Sequence, residues 1–239
     1  MSAVLYGKHP GFGDFLSLGL ERRAQDGIET WLQEMLPATR EMLGAAWEDS
    51  WDVAPDLRFW IGPDILGMPL CGIWRASRDR VGRRYPLMLG AGGVVTPPPV
   101  HSVHDAATYV ALSDHLDAIA DRTAEQGDAQ GLIEAANLPP VSGTPYDADT
   151  KGMLWGTRKD DDLDHLFRDA IEADAFYAQY GRSHWWQPGT NTREAGWLSI
   201  NGLPDAEAMC WLLTSRVRAR HDESAQTDTE QDDVGSGRR

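Results

Sequence analysis

The chain has 239 residues, a formal net charge of -15 at pH 7 and 41% hydrophobic residues, enough length and apolar content for one large core or two small ones. That charge repels nucleic acid and anionic membrane surfaces at long range and excludes both as general partners; a basic or localised protein surface is easier to reconcile. Cys71 and Cys210 are the only cysteines and fall outside any C-x-x-C spacing, which argues against a disulfide framework or a cysteine zinc site and fits a reducing compartment.

The N-terminus carries no charged segment followed by an apolar run, and no stretch approaches the length needed to cross a bilayer, so no membrane insertion and a cytoplasmic location are expected. A first strand, "VLYGKH", runs into "PGFGDFLSLG" at Pro10 to Gly19. A phosphate loop fails there on two tests. Leu16 stands where the dinucleotide fingerprint needs its third Gly, and no Gly-Lys-Ser or Gly-Lys-Thr triplet follows. Gly11 and Gly13 read instead as backbone freedom for a sharp turn after Pro10.

Ile28, Trp31, Leu32, Met35 and Leu36 recur at helical spacing until Pro37, which is expected to interrupt the helix. A second helix is expected from about Ala38 to Trp51, with Met42, Leu43, Ala46 and Trp47 inward. Three strands follow at Leu57–Gly62, Pro69–Ala76 and Tyr85–Ala91, with Pro86 marking an edge or a strand entrance. Beyond the stiff loop "GGVVTPPPVHS", Tyr109, Leu112, Leu116 and Ile119 mark another amphipathic helix, followed by a shorter one ending near Pro139-Pro140. "GMLWG" reads as a short strand, Leu163 to Tyr177 as a helix, and "HWWQ" and "GWLSING" as strands. In the last helix Pro204 suits the first position, and Met209, Cys210, Leu213 and Val217 form the inner stripe. The segment from Ala219 on has too little apolar content to fold by itself. Helices alternating with groups of strands predict a central sheet covered by helices.

Five arginines, Arg75, Arg78, Arg80, Arg83 and Arg84, crowd around Asp79 between two predicted strands of this acidic chain. They read either as a guanidinium patch gripping phosphate or carboxylate on a partner, or as an internal network in which Asp79 pins the loop and the rest pair with surface acids. Of the ten tryptophans, Trp31, Trp47, Trp60, Trp74 and Trp197 fall in core patterns. Trp185 and Trp186 are neighbours on a strand and point to opposite faces, so either one is exposed for recognition or the sheet is covered on both sides. No catalytic or metal constellation stands out. His101 and His104 lack the H-E-x-x-H context, the other histidines are scattered, and no G-x-S-x-G elbow occurs, so no cofactor or metal is expected.

The stretch "YGKHPGFGDFLSLGL" resembles the opening of the TagF (ImpM) family associated with bacterial type VI secretion, whose members begin Tyr-Gly-Lys-x-Pro-x-x-Gly-Asp-Phe. "LRFWIGP", "SRDRVGRRYPL", "RSHWW" and "GLPD" match in the family's order and span nearly the whole chain. Phe12 departs from the pattern, because many relatives carry a basic residue before the Gly-Asp-Phe element. The resemblance implies a three-layer α/β sandwich; together with the element pattern it gives a central mixed sheet with helices on both faces, formed by residues 1–218 as one domain, and the composition of 219–239 reads as a disordered acidic and polar tail. It also implies a non-enzymatic cytoplasmic regulator that restrains the secretion apparatus post-translationally by binding a component, the forkhead-associated (FHA) scaffold protein first among them. The candidate partner surface is Gly13, Asp14, Phe15, Asp79, Arg80, Arg83, Arg84, Ser183, Trp185 and Trp186. The alternative is a metal-dependent hydrolase or phosphatase using Asp14, Asp79 and a histidine.

Overall fold

The computed structural model describes residues 2–96, 107–134, 144–145, 157, 163–189 and 193–214. The expected strand at Gly152–Gly156, the His101 and His104 pair, most of the proline loop, Val217 and the segment 219–239 lie outside them.

Seven strands form one sheet: β1 (Ser2–Gly7), β2 (Leu16–Leu18), β3 (Leu57–Ile61), β4 (Leu70–Arg78), β5 (Arg84–Gly92), β8 (Arg182–Gln187) and β9 (Gly196–Asn201), in the order β2-β1-β5-β4-β3-β8-β9. Two short strands, β6 (Val94–Val95) and β7 (Thr144–Pro145), pair separately. The α/β class and the strands at Leu57, Pro69 and Tyr85 agree with the sequence reading, but strand direction is a correction. The sheet is antiparallel at every pairing rather than mixed. The connection Asp79–Arg83 between β4 and β5 is a hairpin, and a parallel pair would need a crossover of a dozen residues or more. Pro86 sits at the entrance of β5, beyond the β1 pairing that ends at Gly7 and Leu87, where its missing N–H removes no ladder bond to β1.

Side chains alternate between two buried clusters on opposite faces of the sheet. Val4, Tyr6, Leu57, Phe59, Ile61, Trp74, Met88 and Trp185 join residues from α1 (Arg22–Leu43), α2 (Trp47–Asp52) and α7 (Ala206–Thr214). Leu5, Trp60, Cys71, Ile73, Leu87, Leu89 and Trp186 join residues from α4 (Ala107–Ile119) and α5 (Ala129–Glu134). Helices therefore cover both faces, which is why neighbouring Trp185 and Trp186 are 0% and 4% exposed.

Several helix details differ from expectation. Pro37 does not end the first helix, and α1 continues through it to Leu43. The buried stripe Ala24, Ile28, Trp31, Leu32, Met35 and Thr39 carries across the proline, and Thr39 Oγ1 donates to the Met35 carbonyl at 2.8 Å. Pro37 faces solvent, and its interior penalty of about 3 kcal/mol is offset by the packed opposite face. The helix stops at Gly44 instead, with φ 52°, and Met42 is exposed rather than inward. At α7, Asp205 is the cap: its carboxylate accepts the Ala208 N–H at 2.9 Å, and Pro204 lies two positions before the first helical residue, Ala206. A helix forms at α6 (Leu163–Tyr177), but Phe167 and Ile171 of its apolar stripe are exposed. The two remaining short elements are α3 (Pro63–Leu66) and a single 3-10 turn at Gly44–Ala46. Trp197, read as core, is half exposed on the edge strand β9.

Candidate functional site

The hairpin tip between β4 and β5 is built around one buried carboxylate. Asp79 Oδ1 accepts the backbone N–H groups of Val81 and Arg83 at 3.1 and 2.9 Å, and Oδ2 accepts Lys8 Nζ at 2.9 Å and Arg83 Nε at 2.6 Å. The Asp79 side chain is fully buried, whereas that of Arg83 is 65% exposed. Gly82 supplies the positive φ of 85° that closes the turn. Burial alone would raise the Asp79 pKa, but the Lys8 and Arg83 hydrogen bonds outweigh it and hold the carboxyl well below the usual carboxylate range.

The glycine-rich loop meets this tip. The Arg80 N–H donates to the Phe12 carbonyl at 3.4 Å, Lys8 reaches Asp79, and the Lys8 ammonium lies 5.8 Å from the Tyr85 ring centre. His9 is fully buried at the loop's base. Its Nε2–H donates to the Ile119 carbonyl at 2.9 Å and its Nδ1 accepts the Gly11 N–H at 3.1 Å, an arrangement that uses the neutral ring. Burial, against a smaller opposing effect of the Ile119 bond, lowers the His9 pKa from its ordinary value. The protonated form is therefore favoured in the unfolded chain, and stability should fall as pH drops below about 6.5 toward the depressed folded value. Urea unfolding from pH 7.5 to 5 should show this slope in the native chain and a shallower one in His9→Gln.

Glycine matters at one loop position and not at another. A Cβ on Gly11 would lie 1.8 Å from the Arg122 carbonyl oxygen, while a Cβ on Gly13 would meet nothing within 4 Å. Gly11→Ala is expected to cost about 1–3 kcal/mol by forcing the loop off the end of α4, and Gly13→Ala to stay within about 0.5 kcal/mol. Thermal melts of the two variants side by side check this.

The other arginines are largely spent internally. Arg75 makes a forked pair with Asp56 at 2.8 and 2.6 Å and a further bond to Asp117 at 2.7 Å. Arg84 forks onto Asp52 at 3.1 and 2.9 Å and reaches Glu48 at 3.2 Å, and Arg78 also pairs with Asp52. These bonds, the Arg84 hydrogen bond foremost, hold Asp52 below its ordinary pKa. Among the described residues, Arg80 alone of the five carries no ion pair. An open cleft of about 450 Å³ lies beside it, between the hairpin, the His9-Pro10 turn and the C-terminal half of α4.

Of the expected surface, Gly13, Asp14, Phe15, Arg80 and Arg83 are exposed around this junction, with Phe15 on the α1 side of the sheet and Arg80 beside the α4-side cleft. Phe15 is 41% exposed and packs edge-on against Tyr6 and Tyr85. Asp79 is the buried centre of the hairpin, and Arg84 turns toward α2. Ser183, Trp185 and Trp186 are corrected. They are buried on β8, two strands away from β4, with the Trp185 indole N–H donating to Ser183 Oγ at 3.0 Å and Ser183 Oγ donating to the Gly202 carbonyl at 2.6 Å. The residues missed by sequence reasoning are Lys8, given no role at the end of the first strand, and His9, counted among the scattered histidines. Their adjacency to the glycine turn was the available signal.

Among the described residues no group of three or more His, Cys, Asp or Glu is placed to hold a metal ion. Asp79, one of the carboxylates of the hydrolase reading, has both oxygens engaged, and the neighbouring His9 has both ring nitrogens engaged. Among the described residues no helix is long and apolar enough to cross a membrane.

An antiparallel seven-stranded sheet with helices on both faces defines an α/β protein in which two of the distinctive sequence motifs, the glycine-rich loop and the arginine hairpin, meet at a pinned junction. The TagF N-terminal domain, a type VI secretion system-associated family, matches residues 4–136, and the chain belongs to that family. In structure it is similar to PA0076 from Pseudomonas aeruginosa PAO1, solved by crystallography, with a TM-score of 0.69 and 27% identity over 91% of this chain and 96% of that one. No curated protein matches.

Proposed function

We propose that the chain is a non-enzymatic cytoplasmic accessory protein of the type VI secretion system, and that it restrains the apparatus post-translationally by binding one of its components, the FHA scaffold protein. Membership of a secretion-associated family supports the setting. The observation that carries the contact surface is the meeting of the glycine-rich loop with the hairpin tip, through the Arg80 N–H bond to the Phe12 carbonyl and the Lys8–Asp79 pair. Within it Asp14, Phe15 and Arg80 point outward with no internal ion pair among the described residues, so they are available to another protein.

The test is affinity capture of the tagged protein from its own bacterium, with retained proteins identified by mass spectrometry. Capture of the FHA scaffold by the native chain, and its loss in a Phe15→Ala, Arg80→Glu double variant with an unchanged melting temperature, is the expected result. Undiminished capture by that variant would move the contact elsewhere. Arg83→Glu is a poor probe, because it places a second carboxylate against Asp79 and perturbs the hairpin itself.

A further inference from the structure

The cleft beside Arg80 has a composition of its own. Its floor is apolar, formed by Leu87 and Leu116 with exposed Pro10 and Ala120 at the edge, and Arg75, Arg78 and Arg80 also line it. At about 450 Å³ it lies within the range of ligand sites, yet it is open along one side, a shape suited to a side chain from a segment lying across it. Arg78 is paired with Asp52, and the other two lining cations differ from each other. Arg75 is held by Asp56 and by Asp117, whose side chain is 70% exposed, so the second contact is open to exchange. Arg80 has no ion pair among the described residues.

We propose that this cleft binds a short acidic peptide segment of a protein partner, inserting one aliphatic side chain onto the Leu87 and Leu116 floor and pairing a neighbouring carboxylate with Arg80. The inference rests on the reading of the loop–hairpin junction as a partner surface and names the chemistry of what binds there. Charge complementarity selects the occupant. An apolar floor alone accepts any aliphatic residue, whereas a planar guanidinium at its rim favours a carboxylate that accepts two parallel N–H bonds and rejects a lysine. The chain's overall charge of -15 opposes an acidic segment at long range, but charges farther than about 8 Å are screened at physiological ionic strength while Arg80 acts in contact.

The test uses the full chain, labelled with nitrogen-15, and three capped pentapeptides: Ser-Glu-Leu-Glu-Ser, Ser-Glu-Ser-Glu-Ser and Ser-Lys-Leu-Lys-Ser. The Leu-containing acidic peptide should shift the backbone amides of Arg80, Leu87, Leu116 and Ala120, and the other two should bind at least tenfold more weakly. Arg80→Glu should weaken the acidic peptide about tenfold and restore the Lys peptide, the swap expected of a direct charge pair worth one charge-assisted bond. Ala120→Trp, on an exposed position at the cleft's edge, should abolish both. Equal binding of all three peptides, shifts that bypass these amides, or Arg80→Glu without effect would each overturn the proposal, as would displacement of the peptide by inorganic phosphate without any contribution from Leu. Should the Phe15→Ala, Arg80→Glu chain lose its captured partner while Ala120→Trp retains it and no peptide shifts the cleft, the junction reading stands and the cleft proposal falls.

Discussion

Replacing Asp79 by alanine is expected to destabilise the fold by about 3–5 kcal/mol, the range for removing one partner of a buried ion pair. The carboxylate accepts four hydrogen bonds, two from the hairpin backbone and two from cations. Its loss leaves the Val81 and Arg83 N–H groups without an acceptor and leaves Lys8, only 16% exposed, beside no opposite charge. Urea unfolding measures the effect, and the Lys8→Met, Asp79→Ala double variant should recover part of it because the stranded cation is gone. A loss under 1 kcal/mol for Asp79→Ala would show that the pin carries little. The pH dependence follows from the direction of the shift. A carboxyl depressed in the folded state stabilises fully above its ordinary pKa near 4 and progressively less as pH falls toward the folded value. Native protein should therefore lose stability below about pH 4, and Asp79→Asn should flatten that part of the curve.

Trp185→Ala is expected to cost about 3–5 kcal/mol, as for other buried tryptophans cut to alanine. Trp185 is fully buried, with ring centres 5.6 Å from Trp31 and 5.3 Å from Phe59, so the truncation opens a cavity where α1 meets the sheet. A recognition residue would behave in the opposite way: the melting temperature would hold and partner capture would vanish. Denaturant unfolding and capture on the same preparation separate the two, and an unchanged midpoint with lost capture would refute the burial described above.

The tryptophan pair shows where sequence reasoning stopped. "HWWQ" was legible as a strand, but two adjacent large apolar residues are the pattern of a strand buried on both faces as well as of one with an exposed aromatic. Only the positions of α1 and α4 on opposite faces separate these readings, and no local pattern carries that information. The arginine cluster was similarly half legible. Asp79 as a pin was readable from its place in the hairpin, whereas Asp52, Asp56 and Asp117, the partners of three arginines, sit on other elements brought close by the fold. Pro37 misled because the apolar stripe stops at Leu36 in the sequence, and it is the buried, hydrogen-bonded Thr39 that carries the packed face on past the proline. β2, with three residues, is too short for its alternation to register. Strand direction depended on counting the five residues between β4 and β5, which leave room for a hairpin alone.

The junction joins the His9 ring to a carbonyl 110 residues away and Lys8 to a carboxylate 71 residues away. Contacts of such separation form late, because loop closure must precede them. A chain emerging from the ribosome exposes its glycine turn long before α4 exists to hold it, so the assembled surface is absent from nascent, truncated or partly opened molecules. A partner of the kind proposed would read the completeness of the fold as well as the identity of the side chains.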